Sequence, residues 1–307
     1  MAQTSNTMAL QPNQVVMVRP HFFQPNPETA KDNFFQKQQA YNEAVAKKAY
    51  LEVTNAVETL QKYGIQVHLF EDNTQLTPDS VFPNNWFTVH HGVLTTYPMY
   101  CQNRRAERRV DIIEYLQNTF SLELNTALVE QEHQGKYLEG TGAMVIDHQA
   151  KLVYAARSHR MDESLLHQFC DTFGFNTVMF DATDANNQPI YHTNVMMCIG
   201  QSLSLIGLST IKNEAQRNNV VKQLSNSGKT IVELSQQQIS LFAGNAIELQ
   251  GNNQDKTMLV ISRTAKQSLT KAQIAQIELH CELVDIDVST IELAGGSIRC
   301  MIAALHL

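Results

Sequence analysis

Long apolar runs and clustered basic residues are both missing from this 307-residue sequence. No stretch approaches the roughly 18 apolar residues that a transmembrane helix requires, so the sequence predicts no membrane span. The only basic run is Arg104-Arg105 with Arg108-Arg109, and the formal net charge is −7. Phosphate groups are bound by clustered Lys and Arg, so this balance argues against a nucleic-acid or anionic-membrane partner.

Motifs for metals and phosphates are also lacking. The sequence contains no Cys-x-x-Cys and no His-Glu-x-x-His, and the adjacent His90-His91 have no helical spacing that would let them share an ion. Gly295-Gly296 stands alone rather than in a glycine-rich phosphate loop. We therefore expect no cofactor and no metal, and a small-molecule substrate instead.

The cysteine count is odd, at five, and the first residues lack a charged segment followed by an apolar one, as a secretory signal would have. These features predict reduced thiols and a cytoplasmic protein. The Gln-, Asn- and Thr-rich start predicts a flexible arm at residues 1–14, and residues 15–307 are expected to form one catalytic domain. A homo-oligomer remains an open alternative.

A repeat of about 52 residues organises the chain. Five segments place small or polar residues before an apolar run, and their starts are separated by 57, 52, 51 and 52 residues. The segments are NNWFTV (84–89), TGAMVI (141–146), TNVMMC (193–198), GNAIEL (244–249) and GSIRCM (296–301). The pattern predicts that each segment is the first strand of a repeated unit.

A second β-rich run, a helix and a third strand follow each of the first four segments. In the second unit, Asp162 and Gly174 are placed to cap the two ends of the helix. The fifth unit has only its first strand, and residues 15–70 supply the rest. The sequence thus predicts an α/β fold of five ββαβ units in a ring, with a doubly wound open sheet as the alternative.

In such a ring the starts of the five first strands converge at one mouth. Glu139, His192 and Cys300 occupy nearly the same phase of three repeats, and together they are the parts of a thiol nucleophile with its acid/base and orienting groups. Taken singly, a cysteine beside an apolar run is more often a small core residue, and that interpretation is kept for the other four.

Four motifs give the sequence a specific resemblance. They are DSVFPNNW (79–86), YPMYCQNRRAE (97–107), LEGTG (138–142) with YHTN (191–194), and GGSIRC (295–300). In this order and spacing they resemble the guanidine-modifying superfamily of arginine deiminases, dimethylarginine dimethylaminohydrolases and amidinotransferases, and most closely its citrulline utilisation hydrolase branch. The resemblance implies a five-bladed α/β propeller, known as a pentein.

The resemblance also implies roles for individual residues. Cys300 would attack the central carbon of a guanidino or ureido group, His192 would move protons, and Glu139 would orient the imidazole or bind the substrate. The remaining expected contacts are with the substrate's amino-acid end: its carboxylate would be held by Arg104 and Arg160, and its α-amine by Asp79.

Two asparagines depart from the pattern of the arginine-processing relatives, which typically have Asp at both positions. Asn85 and Asn194 remove two anions that would hold a guanidinium, and an unpaired buried charge costs on the order of several kcal/mol. A neutral ureido group instead needs both donors and acceptors, and an Asn side chain offers both. The alternative is that both asparagines merely cap turns.

The predicted function is therefore the hydrolysis of citrulline, or a close ureido compound, to ornithine, ammonia and carbon dioxide through an S-carbamoyl-cysteine. The alternatives are an arginine deiminase-type or dimethylaminohydrolase-type enzyme acting on a guanidino substrate. An amidinotransferase is less favoured. A non-catalytic propeller-fold binding protein is the alternative from another class.

Overall fold

The computed structural model describes residues 11–37, 40–252 and 256–307. Most of the expected arm, residues 1–10, lies outside the described residues. The helices are α1 (Glu43–Lys62), α2 (Val110–Phe120), α3 (Gly140–Ala143), α4 (Glu163–Phe173), α5 (Glu214–Asn226), α6 (Gln236–Ser240), α7 (Arg263–Ser268) and α8 (Lys271–Glu278). No helix of these ranges is both long enough and apolar enough to cross a membrane.

The strands are short, as expected from segments bounded by turn residues. In chain order they are β1 (Gln14–Pro20), β2 (Gln66–Asp72), β3 (Phe87–His90), β4 (Val93–Thr96), β5 (Glu123–Asn125), β6 (Val145–Asp147), β7 (Leu152–Ala156), β8 (Asn176–Phe180), β9 (Met197–Ile199), β10 (Leu203–Ile206), β11 (Thr230–Glu233), β12 (Ile247–Leu249), β13 (Met258–Ser262), β14 (Glu282–Ile286) and β15 (Ala303–His306).

The strands pair as five units of one kind. In each unit an antiparallel pair is followed by a helical connection and a third strand parallel to the second. The units are β3-β4-β5, β6-β7-β8, β9-β10-β11, β12-β13-β14 and β15-β1-β2. The two chain ends therefore complete one unit together, as the sequence predicts, and a single doubly wound sheet does not describe this pairing.

The units do not merge into one closed sheet. β15 pairs in parallel with β3, which joins two units into a six-stranded sheet of order β2-β1-β15-β3-β4-β5, and the other three units form separate three-stranded sheets. All residues of β3 and β12 are buried, which places these first strands inside the protein. The chain thus has an α/β fold with open sheets, and the closed five-bladed ring remains a prediction.

The predicted first strands begin too early. Residues Pro83–Asn85 and Thr193–Val195 form 3₁₀ turns, and Cys300 lies in a turn closed by its own N–H, which donates to Ser297 O at 2.9 Å. Cys300 is therefore not in a strand, because β15 begins only at Ala303. Small and polar residues allow these tight turns, which we call the entry turns, and the apolar residues that follow form the strands.

Helix α4 has the caps that the sequence predicts. Asp162 accepts hydrogen bonds from the N–H groups of Ser164 and Leu165, and Gly174 ends α4 with a positive φ of 70°. Between these caps, one face of α4 is buried against the β6-β7-β8 unit through Leu165, Leu166 and Phe169. Helix and sheet therefore share one apolar cluster in this unit.

We expect Asp162→Ala to lower the free energy of unfolding by about 1 kcal/mol, because two N–H groups of the first turn of α4 lose their acceptor. Chemical denaturation measures this loss. Asp162→Asn is the matched control, since it keeps a side-chain oxygen at the cap and should stay within a few tenths of a kcal/mol of the original protein. Equal stability of the Ala and Asn variants would show that the cap contributes nothing.

Candidate active site

A cavity at the entry turns brings most of the predicted site residues together. It has a volume of about 240 Å³ including its open mouth. Six of the eight predicted residues line it: Asp79, Asn85, Arg104, Arg160, His192 and Cys300. Glu139 lies behind His192, with no exposed surface, and Asn194 lies behind Cys300. We call this space the front cavity.

His192 and Glu139 form the shortest polar contact between the predicted catalytic groups. His192 Nε2 lies 2.8 Å from Glu139 Oε2. An ionised carboxylate only accepts, so Nε2 carries the proton and Nδ1 is the ring nitrogen left to exchange one. Burial lowers the pKa of His192 to about 4, although Glu139 opposes that shift. The imidazole is therefore neutral at pH 7.

Glu139 is held ionised by its neighbours. Burial alone would raise its pKa, but Arg160, His192 and Arg104 outweigh burial and keep the pKa well below its usual value. Glu139 Oε1 accepts from the N–H of Tyr100 at 3.0 Å, and Oε2 accepts from Arg160 Nη1 at 3.3 Å. With His192 bound as well, the carboxylate is saturated by protein groups.

Cys300 lies between two asparagine side chains. Asn245 Nδ2 donates to Cys300 Sγ at 3.3 Å, and Sγ lies 3.7 Å from Asn194 Oδ1. Burial raises the pKa of the Cys300 thiol. That shift is opposed by a backbone hydrogen bond from Ser297, by the side-chain hydrogen bond from Asn245 and by the charge of Arg299. In the resting site the sulfur is thus a protonated thiol that lines the same cavity as the neutral imidazole of His192.

Arg104 is almost fully engaged by protein groups. Its Nε and Nη2 form a bidentate pair with Glu107 at 3.0 and 2.8 Å, and its Nη1 donates to Asn85 Oδ1 at 2.9 Å. Arginine has no acceptor, so the atom of Asn85 that faces it must be the oxygen. Few N–H donors of Arg104 are therefore free to hold a substrate carboxylate, which is the role that the resemblance implies for it.

Arg160 is engaged less completely. Its Nε and Nη2 donate to Asp32 at 2.9 and 2.6 Å, and its Nη1 donates to Glu139. These bonds use three of the five N–H donors of a guanidinium, which leaves two. Arg160 also stacks over the ring of Tyr191, with 4.9 Å between its guanidinium carbon and the ring centre.

Three predicted site residues carry buried polar atoms that have no hydrogen-bond partner. They are Asp79 Oδ1, Asn85 Nδ2 and Asn194 Nδ2. Such atoms are rare in folded proteins, because leaving a buried donor or acceptor unpaired costs about 1–3 kcal/mol. The other oxygen of Asp79 accepts from Asn26 Nδ2 at 2.8 Å. Two donors and one acceptor are thus left for a ligand.

Gly142 makes room for two of these groups. A Cβ atom at this position would lie 2.3 Å from Asn85 Nδ2 and 2.7 Å from His192 Nδ1. Both distances are far below van der Waals contact, so any side chain here would displace the free amide and the imidazole. The glycine of the LEGTG motif is therefore explained by close packing against the site.

Sequence analysis missed the protein partners of the two arginines. Glu107 and Asp32 pair with Arg104 and Arg160, and Asn26 holds Asp79. The three-residue spacing from Arg104 to Glu107 is a signal that points to an ion pair on one helical turn. Nothing local marks Asp32, which is 128 residues from Arg160 along the chain. In the described ranges, no group of three or more His, Cys, Asp or Glu side chains is placed to hold a metal ion.

The chain is similar to one known protein family and to several solved structures. A family model described as "N,N dimethylarginine dimethylhydrolase, eukaryotic" matches residues 19–307. No curated protein matches the sequence. Among solved structures, the substrate-bound N-terminal domain of ArgZ, an arginine dihydrolase from the ornithine-ammonia cycle in cyanobacteria, aligns with a TM-score of 0.70 at 15% identity, over 95% of this chain and 97% of that one.

Two further structures share the fold. Unliganded AgrE aligns with a TM-score of 0.74 at 12% identity over 95% of this chain, which corresponds to 39% of AgrE. A dimethylarginine dimethylaminohydrolase adduct with S-methyl-L-thiocitrulline aligns with a TM-score of 0.64 at 13% identity, over 96% of this chain and 100% of that one. At these identities the structural matches establish similarity of fold alone.

We expect the rate at which iodoacetamide alkylates Cys300 to keep rising, by about tenfold per pH unit, above the pH at which an ordinary thiol of pKa about 8.5 reaches its maximum rate. The reason is that burial raises the pKa of Cys300. Mass spectrometry of the alkylated peptides measures the rate at each pH. Cys101 is an internal control, since burial raises its pKa to about 12. A plateau already at pH 7 would instead indicate a resting thiolate–imidazolium pair.

Proposed function

Because the chain belongs to the N,N-dimethylarginine dimethylhydrolase family, within the guanidine-modifying superfamily, we propose that it is a cysteine-dependent hydrolase of a citrulline-like ureido amino acid. The products would be ornithine, ammonia and carbon dioxide. The observation that carries the substrate choice is the unpartnered amide donor of Asn85, which lines the front cavity; the amide donor of Asn194, behind Cys300, is unpartnered as well.

These donors suit a neutral carbonyl oxygen. The orientation of Asn85 is fixed by Arg104, so the Asn85 NH₂ is the end that remains for a ligand. A ureido oxygen accepts such donors and gains negative charge when a nucleophile adds to its carbon, so the same bonds strengthen in the transition state. A guanidinium has only N–H donors and would face these amides without forming a bond.

The other end of the substrate would meet charged groups. Asp79 Oδ1 is the free acceptor for an α-ammonium, and the two remaining N–H donors of Arg160 suit an α-carboxylate. Arg104 acts in this proposal mainly through Asn85, whose oxygen it holds. The contact with substrate that the sequence resemblance implies for Arg104 would require Glu107 to give up part of its bidentate pair.

The reaction would begin from neutral groups. Cys300 passes its thiol proton to His192 Nδ1 as sulfur adds to the ureido carbon, and the protonated imidazole then donates to the departing nitrogen. A water molecule, deprotonated by the same Nδ1, attacks the S-carbamoyl carbon and releases the thiol. The resulting carbamate decomposes to carbon dioxide and whichever of ammonia and ornithine did not depart in the first step. Glu139 keeps Nε2 protonated throughout.

A guanidino substrate is the second candidate, and the charge count favours it. Four carboxylates, on Asp32, Asp79, Glu107 and Glu139, lie around two guanidinium groups, on Arg104 and Arg160. This excess of carboxylates would attract a cation, and burial, which raises the pKa of Glu107 to about 7 and the pKa of Asp79 above its usual value, reduces the excess of negative charge. Three of the four carboxylates are already paired at hydrogen-bond distance with the arginines, however, which leaves Asp79 alone for both the α-ammonium and a guanidinium.

The proposal includes the architecture that the sequence predicts. Residues 15–307 would form a single catalytic domain, with the five units arranged as blades around one axis. The pairing of the two chain ends and the buried first strands support it. The five unpaired cysteines support the expected cytoplasmic location, since disulfides are rare there.

We expect the purified protein to release ornithine and ammonia from citrulline, with little turnover of arginine. Exchanging the free amides for carboxylates, in Asn85→Asp and Asn194→Asp, should lower kcat/KM for citrulline by at least tenfold, because an acceptor then faces the substrate oxygen. Product analysis by chromatography, with both substrates and all variants, measures this selectivity. Cys300→Ala is the control for background hydrolysis and should be inactive.

Two outcomes would count against the proposal. If the original protein converts arginine to citrulline and leaves citrulline unchanged, the amide argument fails and the second candidate takes its place. If Cys300→Ala retains full activity on either substrate, the cysteine is not the nucleophile, and the assignment of the front cavity fails with it.

A further inference from the structure

A second and larger cavity lies at the opposite ends of the first strands. It has a volume of about 850 Å³ including its open mouth, and it is lined by residues at or near the ends of β3, β6, β9, β12 and β15. The front cavity instead lies where the entry turns lead into these strands. Asn194 belongs to the lining of this second space, which we call the rear cavity.

The rear cavity contains a guanidinium without a carboxylate partner. Arg299 lines it, and the one side-chain hydrogen bond found for Arg299 runs from Nη1 to the carbonyl of Ile302 at 2.8 Å. Among the described residues, no Asp or Glu lies within ion-pairing distance of Arg299. Burial lowers its pKa to about 10, and no carboxylate contributes to holding the charge.

Three imidazoles also line the rear cavity. His90 and His306 are register partners in the β15–β3 pair, and the ring of His148 stacks on that of His306 with centres 3.8 Å apart. His90 is 2% exposed, and its Nε2 is buried without a hydrogen-bond partner. Burial lowers the pKa of all three, and Arg299 lowers it further for His148 and His306.

Three other charged side chains line the rear cavity, and two of them, Lys229 and Asp147, form an ion pair. Lys229 Nζ lies 3.2 Å from Asp147 Oδ2 and donates to the carbonyl of Gln201 at 2.9 Å. The carboxylate of Glu248 accepts from the N–H of Gln201 at 2.8 Å. Among the described residues, neither Arg299 nor Glu248 has a side chain of opposite charge within ion-pairing distance, and Arg299 is the cation of the two.

We infer that the rear cavity binds a small oxyanion, held by the guanidinium of Arg299 and by an imidazole N–H of His90. The planar fork of a guanidinium matches the geometry of a carboxylate, bicarbonate or phosphate, and neutral imidazoles each supply one N–H donor.

The site is connected to the front cavity through two hydrogen bonds. The N–H of Arg299 donates to Asn245 Oδ1 at 3.1 Å, and Asn245 Nδ2 donates to Cys300 Sγ. The charge of Arg299 also helps to lower the pKa of Cys300. An anion bound to Arg299 would offset that charge, so it would make the thiol a weaker acid and slow its reactions.

Titration calorimetry with bicarbonate and with inorganic phosphate, in separate experiments, tests the binding directly. We expect one oxyanion per chain, and a loss of at least tenfold in affinity in Arg299→Gln. His90→Phe should also weaken binding, and it keeps the ring shape within a cluster formed with Phe169, Phe173 and Phe175. Arg263→Gln is the matched control, because Arg263 is exposed and pairs with Asp285.

Alkylation of Cys300 provides a second measurement that needs no substrate. Saturating anion should slow the alkylation of the original protein and leave its rate in Arg299→Gln unchanged. The inference is overturned if neither oxyanion binds, if Arg299→Gln binds as tightly as the original protein, or if chloride binds equally well. Each of these outcomes is independent of which substrate the front cavity takes.

Discussion

One fully buried carboxylate organises the site. Glu139 accepts hydrogen bonds from a guanidinium, an imidazole and a backbone N–H, and these groups come from Arg160, His192 and Tyr100. Burying an ion costs several kcal/mol unless it is paired and hydrogen-bonded, so the three donors and the carboxylate must be assembled together. Because His192 is fixed in this way, its tautomer and its free nitrogen are fixed as well.

The same constraint accounts for the arginines. Two buried guanidinium groups require counter-ions, and Glu107 and Asp32 supply them. Once those pairs are formed, the predicted substrate-binding residues keep few free polar groups: one carboxylate oxygen of Asp79, the NH₂ groups of Asn85 and Asn194, and two N–H donors of Arg160. The polar groups that have no partner within the protein therefore indicate which ligand groups the site can bind. This reasoning favours a neutral acceptor at the reacting end and a cation at the other end.

Much of the architecture could be predicted from local pattern. The recurrence of small residues before apolar runs gave the five units, and Asp162 and Gly174 gave the ends of α4. The strand starts were placed too early, because the pattern does not distinguish a 3₁₀ turn from an extended strand when both carry small polar residues. Cys300 lies in such a turn rather than in a strand, and there its sulfur contacts Asn194 and Asn245.

The sequence by itself determined which chemical groups are available: a cysteine, a histidine and a glutamate at equivalent points of a repeat, and amides at two positions where the family resemblance leads us to expect carboxylates. Only the tertiary structure decided which of these groups remain free. Asp32 and Arg160 are 128 residues apart, and within the described part of the chain Arg299 has no carboxylate partner, although the sequence contains 30 Asp and Glu residues. The energy of an ion pair falls steeply as the two charges move apart in space, and closeness in space leaves no periodic pattern along the chain.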